Sequence, residues 1–410
     1  MVDYRDRLTL FPLLHDRAVG LCAKPIGLPP VRLFPTLIAL LIVLIASPAA
    51  HARDRWTPEQ AQQWYAAQQW HVGANYLPSN AINQLEMWQA DTFDPVEIDK
   101  EFGWAQQIGM TSMRVFLHDL LWRQDRAGLV KRMNTLLDIA DRHHIKILFV
   151  LFDSCWDPHP KLGPQHPPIP GVHNSGWVQS PGTDALQDPA QIPRLEAYVK
   201  GIIGTFAHDK RILGWDLWNE PDNLASQYPG QPSDKVQLVE KLLPEVFEWA
   251  RSVDPEQPLT SGVWGGYVAD WSDPEQLIPM EKIQLAQSDV ISFHDYGWPE
   301  SMRARIKQLE TYGRPVFCTE YMARGAGSTF DGSLPVGWKH DVAMFNWGFV
   351  RGKEQTWLPW DSWERPYVLS EPSVWFHDVL YRDGRPYREA EVELIHHLSQ
   401  TPPPAQYGGD

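Results

Sequence analysis

Two glutamates in this chain stand where acid–base chemistry is possible. Glu220 lies in Trp218-Asn219-Glu220-Pro221, at the end of an apolar run that begins at Ile212, and a turn signal, Pro221-Asp222-Asn223, follows at once. Glu320 ends a second such run, Pro315-Val316-Phe317-Cys318-Thr319-Glu320, 100 residues further on. Apolar neighbours disfavour the charged form of Glu220, and a carboxyl kept protonated near neutral pH can serve as a general acid. Taken alone, the tetrapeptide is also readable as a strand-end glutamate paired with an arginine. The second strand-end carboxyl changes that reading, because two carboxyls with pKa values pushed apart divide the roles of acid and nucleophile between them.

Such a pair needs a scaffold that delivers strand ends to one face. No repeat is visible, yet strand followed by helix recurs about eight times, the pattern of a parallel sheet. The expected fold is a single α/β domain, a (β/α)8 TIM barrel over residues 53–400, whose catalytic groups sit on the rim formed by the strand ends. Strands are expected near 71–77, 112–117, 145–152, 212–220, 259–264, 289–296, 315–320 and 354–360. Helices are expected near 94–108, 128–144, 192–208, 234–252, 299–312, 336–347 and 388–398. Arg114 falls inside strand two, where a charge is costly unless paired, so a carboxylate should face it in the barrel mouth. Residues 153–188 are rich in Pro, Gly, His and Trp and lack periodicity. So long a loop after strand three is expected to be functional and to wall one end of a cleft.

Composition narrows the partners. The apolar run 33–46, preceded by Arg32 and followed by Ala50-His51-Ala52, has the layout of a secretory signal and is short for a bilayer span. The 30 or so residues before Arg32 are long for a signal, which a translation start near Val31 explains; the alternative is an uncleaved anchor. Export is expected to remove residues 1–52 and leave Arg53 as the new N-terminus, which N-terminal sequencing of the exported protein checks. Retention of 33–46 in a membrane-bound product is the opposite outcome.

Without residues 1–52 the chain holds 31 basic and 48 acidic residues, a net charge of −17. That excess argues against nucleic acid or an anionic membrane and for a neutral partner. Cys155 and Cys318 are expected as free, buried thiols on nearly opposite strands rather than as a disulfide. Neither they nor His159, His166 and His173 have metal-ligand spacing, and no metal or cofactor is expected. The paired histidines 143–144 and 396–397 read as surface residues at helix ends. Twenty tryptophans exceed what a core needs and suggest flat platforms for sugar rings. The tail 401–410 reads as disordered.

With these residues in place the chain resembles the clan A retaining glycoside hydrolases, and most closely family 5, the cellulase-like (β/α)8 barrels, over roughly residues 70–400. The resemblance implies a β-glycoside hydrolase with a carbohydrate partner; the signal layout makes a secreted or periplasmic location the expectation, and a monomer is expected. It implies that Glu220 is the acid/base, that Asn219 bonds the sugar 2-hydroxyl, and that Glu320 is the nucleophile. Arg114 would hold the nucleophile ionised, His294 and Tyr296 would be the strand-six pair with Tyr296 donating to the nucleophile, and Asn75 would belong to the first-strand motif. The strand-eight tryptophan under the sugar would be Trp357 or Trp360, with Trp360 preferred as the end of that strand. Strand three departs from the pattern: Phe152-Asp153-Ser154-Cys155-Trp156 lacks the histidine common there in cellulase-type members. An exo-acting enzyme or a transglycosylase of the clan, and a non-catalytic sugar-binding barrel, are the competing readings.

Overall fold

The computed structural model of the chain describes residues 52–265 and 270–404. The expected signal segment lies outside the described residues but for Ala52, as does the tail from residue 405. Among the described residues no helix is long and apolar enough to cross a membrane.

Eight parallel strands form a nearly closed barrel in the order β5-β4-β3-β2-β1-β8-β7-β6. They are β1 Val72–Tyr76, β2 Ser112–Phe116, β3 Lys146–Asp153, β4 Ile212–Asn219, β5 Leu259–Thr260, β6 Ile291–His294, β7 Val316–Tyr321 and β8 Ala343–Asn346. The seam between β5 and β6 is closed by two hydrogen bonds: the amide of Val263 donates to the Ser292 carbonyl, and that of His294 to the Val263 carbonyl, each at 3.0 Å. Nearly every strand position is buried, as both faces of a parallel sheet require. Helices between the strands close the outer layer, and their apolar faces join one continuous core.

The barrel floor is plugged by a helix absent from the expected list, Pro58–Ala66. Thr57 and Gln60 form its capping box, and Tyr65 lies against Phe317 of β7 at 5.6 Å between ring centres. The motif Thr57-Pro58-Glu59-Gln60 carries that signal in the sequence.

One pair of elements was misplaced. The helix expected at 336–347 spans Phe330–Lys339, capped by Thr329, and the eighth strand is Ala343–Asn346 rather than 354–360. Apolar residues 342–347 continue helical spacing from Val336, and a four-residue strand is too short for its own period to show. The left-handed backbone of Asp341 (φ 54°) separates the two elements. The strand then ends at Trp347-Gly348, where Gly348 (φ 75°) packs so closely on Asp378 that a Cβ would lie 2.4 Å from its carboxylate. The second helix also begins earlier than expected, at Asp119 rather than near 128, with a break at Asp125.

The loop after β3 is packed rather than loose. Asp153 and Ser180 exchange backbone hydrogen bonds at 2.6 and 3.0 Å, and the Trp177 indole donates to Asp153 Oδ2 at 2.5 Å. Its far end is clasped to the segment after β8. The Asn174 amide donates to the Glu354 carbonyl (2.9 Å), the His173 amide to Ser362 Oγ (2.9 Å), and Trp156 stacks on Trp363 at 5.4 Å. Cys155 and Cys318 are both free and buried. Thr401 is tied down, its carbonyl accepting from Trp338 Nε1 at 2.9 Å.

Candidate active site

β4 and β7 end on opposite sides of the barrel mouth, which brings Glu220 and Glu320 together. Both are buried, and one oxygen of each, with His294 Nδ1, lies within a cluster no wider than 4.8 Å. Glu220 leaves β4 through a left-handed backbone (φ 43°), a conformation that costs a non-glycine residue on the order of 1–3 kcal/mol. That turn aims its side chain inward, and the Asn223 amide closes it on the Glu220 carbonyl at 2.9 Å.

Arg114 is fully buried and organises the floor of the site. Its Nε and Nη2 donate to Asp216 Oδ2 at 3.1 and 2.7 Å, Nη1 to Asn75 Oδ1 at 2.7 Å and to Glu320 Oε1 at 3.0 Å, and Nη2 also to Asn219 Oδ1 at 2.6 Å. The carboxylate partner expected for Arg114 is therefore two carboxylates. Asp216 was missed, although the rule that singled out Arg114, a charge inside an apolar strand, applies to it equally. Tyr296 donates to Glu320 Oε2 at 2.7 Å. His294 Nδ1 is 2.9 Å from Glu220 Oε1 and 3.5 Å from Glu320 Oε2.

Burial raises the pKa of both glutamates; the Asp222 carboxylate raises Glu220 further and the Glu220 carboxylate raises Glu320, against hydrogen bonds from Asn223 and Cys155 that lower Glu220 and against His294, Arg114 and Tyr296, which lower Glu320. The two are not equivalent. Glu320 receives a guanidinium and a phenol, both of which favour its ionised form, whereas Glu220 has only neutral donors. Burial pushes His294 down to about 4, so the imidazole is neutral near pH 7 and shares a proton with Glu220 Oε1 rather than adding a charge. The first proton of the pair accordingly sits on Glu220. An acid of this kind loses activity as pH rises through its pKa. The kcat/KM of a substrate with a poor leaving group should fall at alkaline pH, and the fall should vanish for an activated aryl glycoside; parallel pH–rate profiles check this.

The mouth above the pair is a cavity of about 640 Å³, within the range of small-ligand sites. Six tryptophans line it: Trp156, Trp264, Trp271, Trp347, Trp360 and Trp363. Trp347 holds the strand-eight position that the sequence reading gave to Trp357 or Trp360. Trp360 does reach the cavity, but from a single 3-10 turn, Trp360–Trp363, and is 40% exposed. Trp357 does not reach it; it packs with Leu358 and Trp375 beneath Arg351, whose guanidinium lies 3.8 Å from its ring centre. Trp347 was missed because its strand was read as the end of a helix. Asn75, which also lies below the cavity, donates to the Thr319 carbonyl at 2.8 Å and orients Arg114. Asn219 is held on both sides, accepting from Arg114 and donating to Asp153 Oδ1 at 3.0 Å.

The model of the cellulase family (glycosyl hydrolase family 5) matches residues 169–366, a span that includes both glutamates. The resemblance to glycoside hydrolase family 5 is thereby borne out over those residues. No curated protein matches the sequence. Solved structures share the fold of this chain at low identity. A subfamily 18 member from Streptomyces cattleya, in complex with GlcNAc, is 14% identical, with a TM-score of 0.54 and 83% of each chain covered. An exo-β-1,4-mannosidase from Opitutaceae bacterium strain TAV5 is 22% identical, with a TM-score of 0.54 over 81% of this chain and 60% of that one. A subfamily 18 member from Bifidobacterium longum, in complex with Manβ1-4GlcNAc, is 14% identical, with a TM-score of 0.54 over 82% of this chain and 80% of that one. The protein is a retaining glycoside hydrolase.

Proposed function

We propose that this enzyme is exported and removes a terminal sugar from the non-reducing end of a neutral β-linked oligosaccharide. Glu320 is its nucleophile and Glu220 its acid/base. The observation that carries the mechanism is the approach of the two carboxyls, with oxygens no more than 4.8 Å apart. Retaining enzymes need carboxyls about 5–5.5 Å apart for direct attack, and a wider gap would be required to seat a water between them. Glu320 attacks the anomeric carbon while Glu220 protonates the leaving oxygen, and Glu220 then takes a proton from the water that releases the sugar.

Terminal action is supported by the wall of the cavity. The acid must reach the bridging oxygen, so the leaving group lies on the Glu220 side and the sugar to be released on the other. On that other side the loops after β3 and β8 are clasped together over β1 and β2, and no residue of β1 or β2 lines the cavity. A closed end leaves no room for a chain that continues past the released sugar. The relatives named above set the first substrates to assay, a β-mannoside and Manβ1-4GlcNAc.

The test is product sizing from a β-linked oligosaccharide labelled at its reducing end. Release of single sugars, with each labelled product one unit shorter than the last, is expected. Trp156→Ala with Trp363→Ala, which removes the stacked pair at the clasp, should add larger products. Internal cleavage by the wild-type enzyme, or no hydrolysis of any neutral β-glycoside, overturns the proposal.

A further inference from the structure

Cys155 lies in the wall of the catalytic cavity, on the loop that leaves β3, with its Sγ 3.2 Å from Glu220 Oε2. We propose that the Cys155 thiol is a positioning residue for the acid/base: it donates its S–H to Glu220 Oε2 and, together with Asn223, reserves that oxygen as an acceptor, so that the catalytic proton is confined to Oε1. This deepens the functional reading above and rests on Glu220 being the acid/base.

The direction of the S–H bond follows from the groups around the sulfur. Two amide nitrogens point at Sγ, Asn219 Nδ2 at 3.5 Å and Asn223 Nδ2 at 3.4 Å. Neither amide is free to turn over. Asn219 Oδ1 accepts from Arg114 at 2.6 Å, and Asn223 Oδ1 accepts from the Ala225 backbone amide at 2.7 Å, so the nitrogens must face the sulfur. With both of its amide neighbours acting as donors, the acceptors left for the thiol hydrogen are the carboxylates of Glu220 and Asp153, and Asp153 already accepts from the Cys155 backbone amide and Asn219 on Oδ1 and from Trp177 on Oδ2, whereas Glu220 Oε2 lies 3.2 Å from Sγ. It is also held in the S–H form: burial and the carboxylates of Asp153, Glu220 and Glu320 push its pKa well above that of an ordinary thiol.

Glu220 Oε2 then accepts from Cys155 and from Asn223 Nδ2 at 2.6 Å, and two donors leave no place for a proton on that oxygen. The other oxygen, Oε1, faces only the neutral His294 imidazole. A carboxyl free to carry its proton on either oxygen presents it to the bridging oxygen only part of the time. Confinement removes that loss. A hydrogen bond to the ionised form also makes Glu220 a stronger acid.

Two variants test the thiol, Cys155→Ala, which removes the donor, and Cys155→Ser, which keeps one in a similar volume. In Cys155→Ala the alkaline limb of kcat/KM for a poor leaving group should move to higher pH. The rate with that substrate should fall about threefold to tenfold, the worth of one hydrogen bond, while an activated aryl glycoside is unaffected. Cys155→Ser should return both towards wild type. The infrared band of the protonated Glu220 carboxyl, assigned by its loss in Glu220→Gln, gives the same titration without turnover. An unmoved limb and band in Cys155→Ala, equal losses with both substrates, or a serine variant no better than alanine overturns the proposal. If the wild-type enzyme hydrolyses no β-glycoside, the functional reading fails, and the infrared titration still decides whether the thiol acts on Glu220.

Discussion

Glu320→Ala is expected to lower kcat by roughly four to six orders of magnitude for every substrate, the scale seen when a covalent nucleophile is deleted. The proposed roles leave no neighbour to take its place, because Glu220, whose carboxyl lies in one cluster with that of Glu320, is assigned to the leaving oxygen. Glu220→Ala should behave differently. General acid–base assistance is worth on the order of 10²- to 10⁴-fold, and that loss should appear in full for a poor leaving group. An activated aryl glycoside needs no proton in the first step, so its glycosyl-enzyme should form and then accumulate for want of a base. Azide, which needs no deprotonation, should attack that intermediate and give a β-glycosyl azide with retained stereochemistry. Proton NMR of the first-formed anomer and of the azide adduct reads the outcome. Inverted product from the wild type sinks the assignment. So does rescue of Glu320→Ala, and not of Glu220→Ala, with retained stereochemistry.

Arg114→Met is expected to cost stability and activity together. Arg114 and Asp216 are both fully buried and 2.7 Å apart, and Asp216 Oδ1 has no hydrogen-bond partner of its own. Removing the guanidinium leaves a buried charge uncompensated, a change that typically costs about 3–5 kcal/mol. Glu320 loses its ion pair at 3.0 Å as well. Because Arg114 favours the ionised form of Glu320, its loss raises that pKa, and the acid limb of kcat/KM should move to higher pH. Arg114→Met with Asp216→Leu separates the two effects. The double variant should recover most of the stability in urea denaturation, since the orphaned carboxylate is gone, and should remain as inactive as the single variant. A single variant within 1 kcal/mol of wild type would show that the pair does not carry the barrel floor.

How much of this protein its sequence determined differs from element to element. Long periodic segments were legible. β4 was placed from its apolar run and turn signal, and β7 from its own run, because burial on both faces writes an uninterrupted apolar stretch into the chain. Glu220 and Glu320 were legible for the same reason, as charges at the ends of such stretches. The rule that a buried charge must be paired required a partner for Arg114, but one-dimensional spacing could not say that Asp216 shares it with Glu320.

β8 was not legible. Four residues carry too little period to be told from the end of a helix, and their strand character comes from pairing with β1 and β7, 272 and 26 residues away in sequence at Val72↔Met344 and Cys318↔Met344. Trp347 was lost with it. Tertiary structure alone decided the contacts made between loops: the stacking of Trp156 on Trp363 in the cavity wall, and the approach of Cys155 to Glu220 across 65 residues of chain. Loops have no repeating pattern to read, because their conformation is fixed by hydrogen bonds to whichever elements the barrel happens to bring beside them.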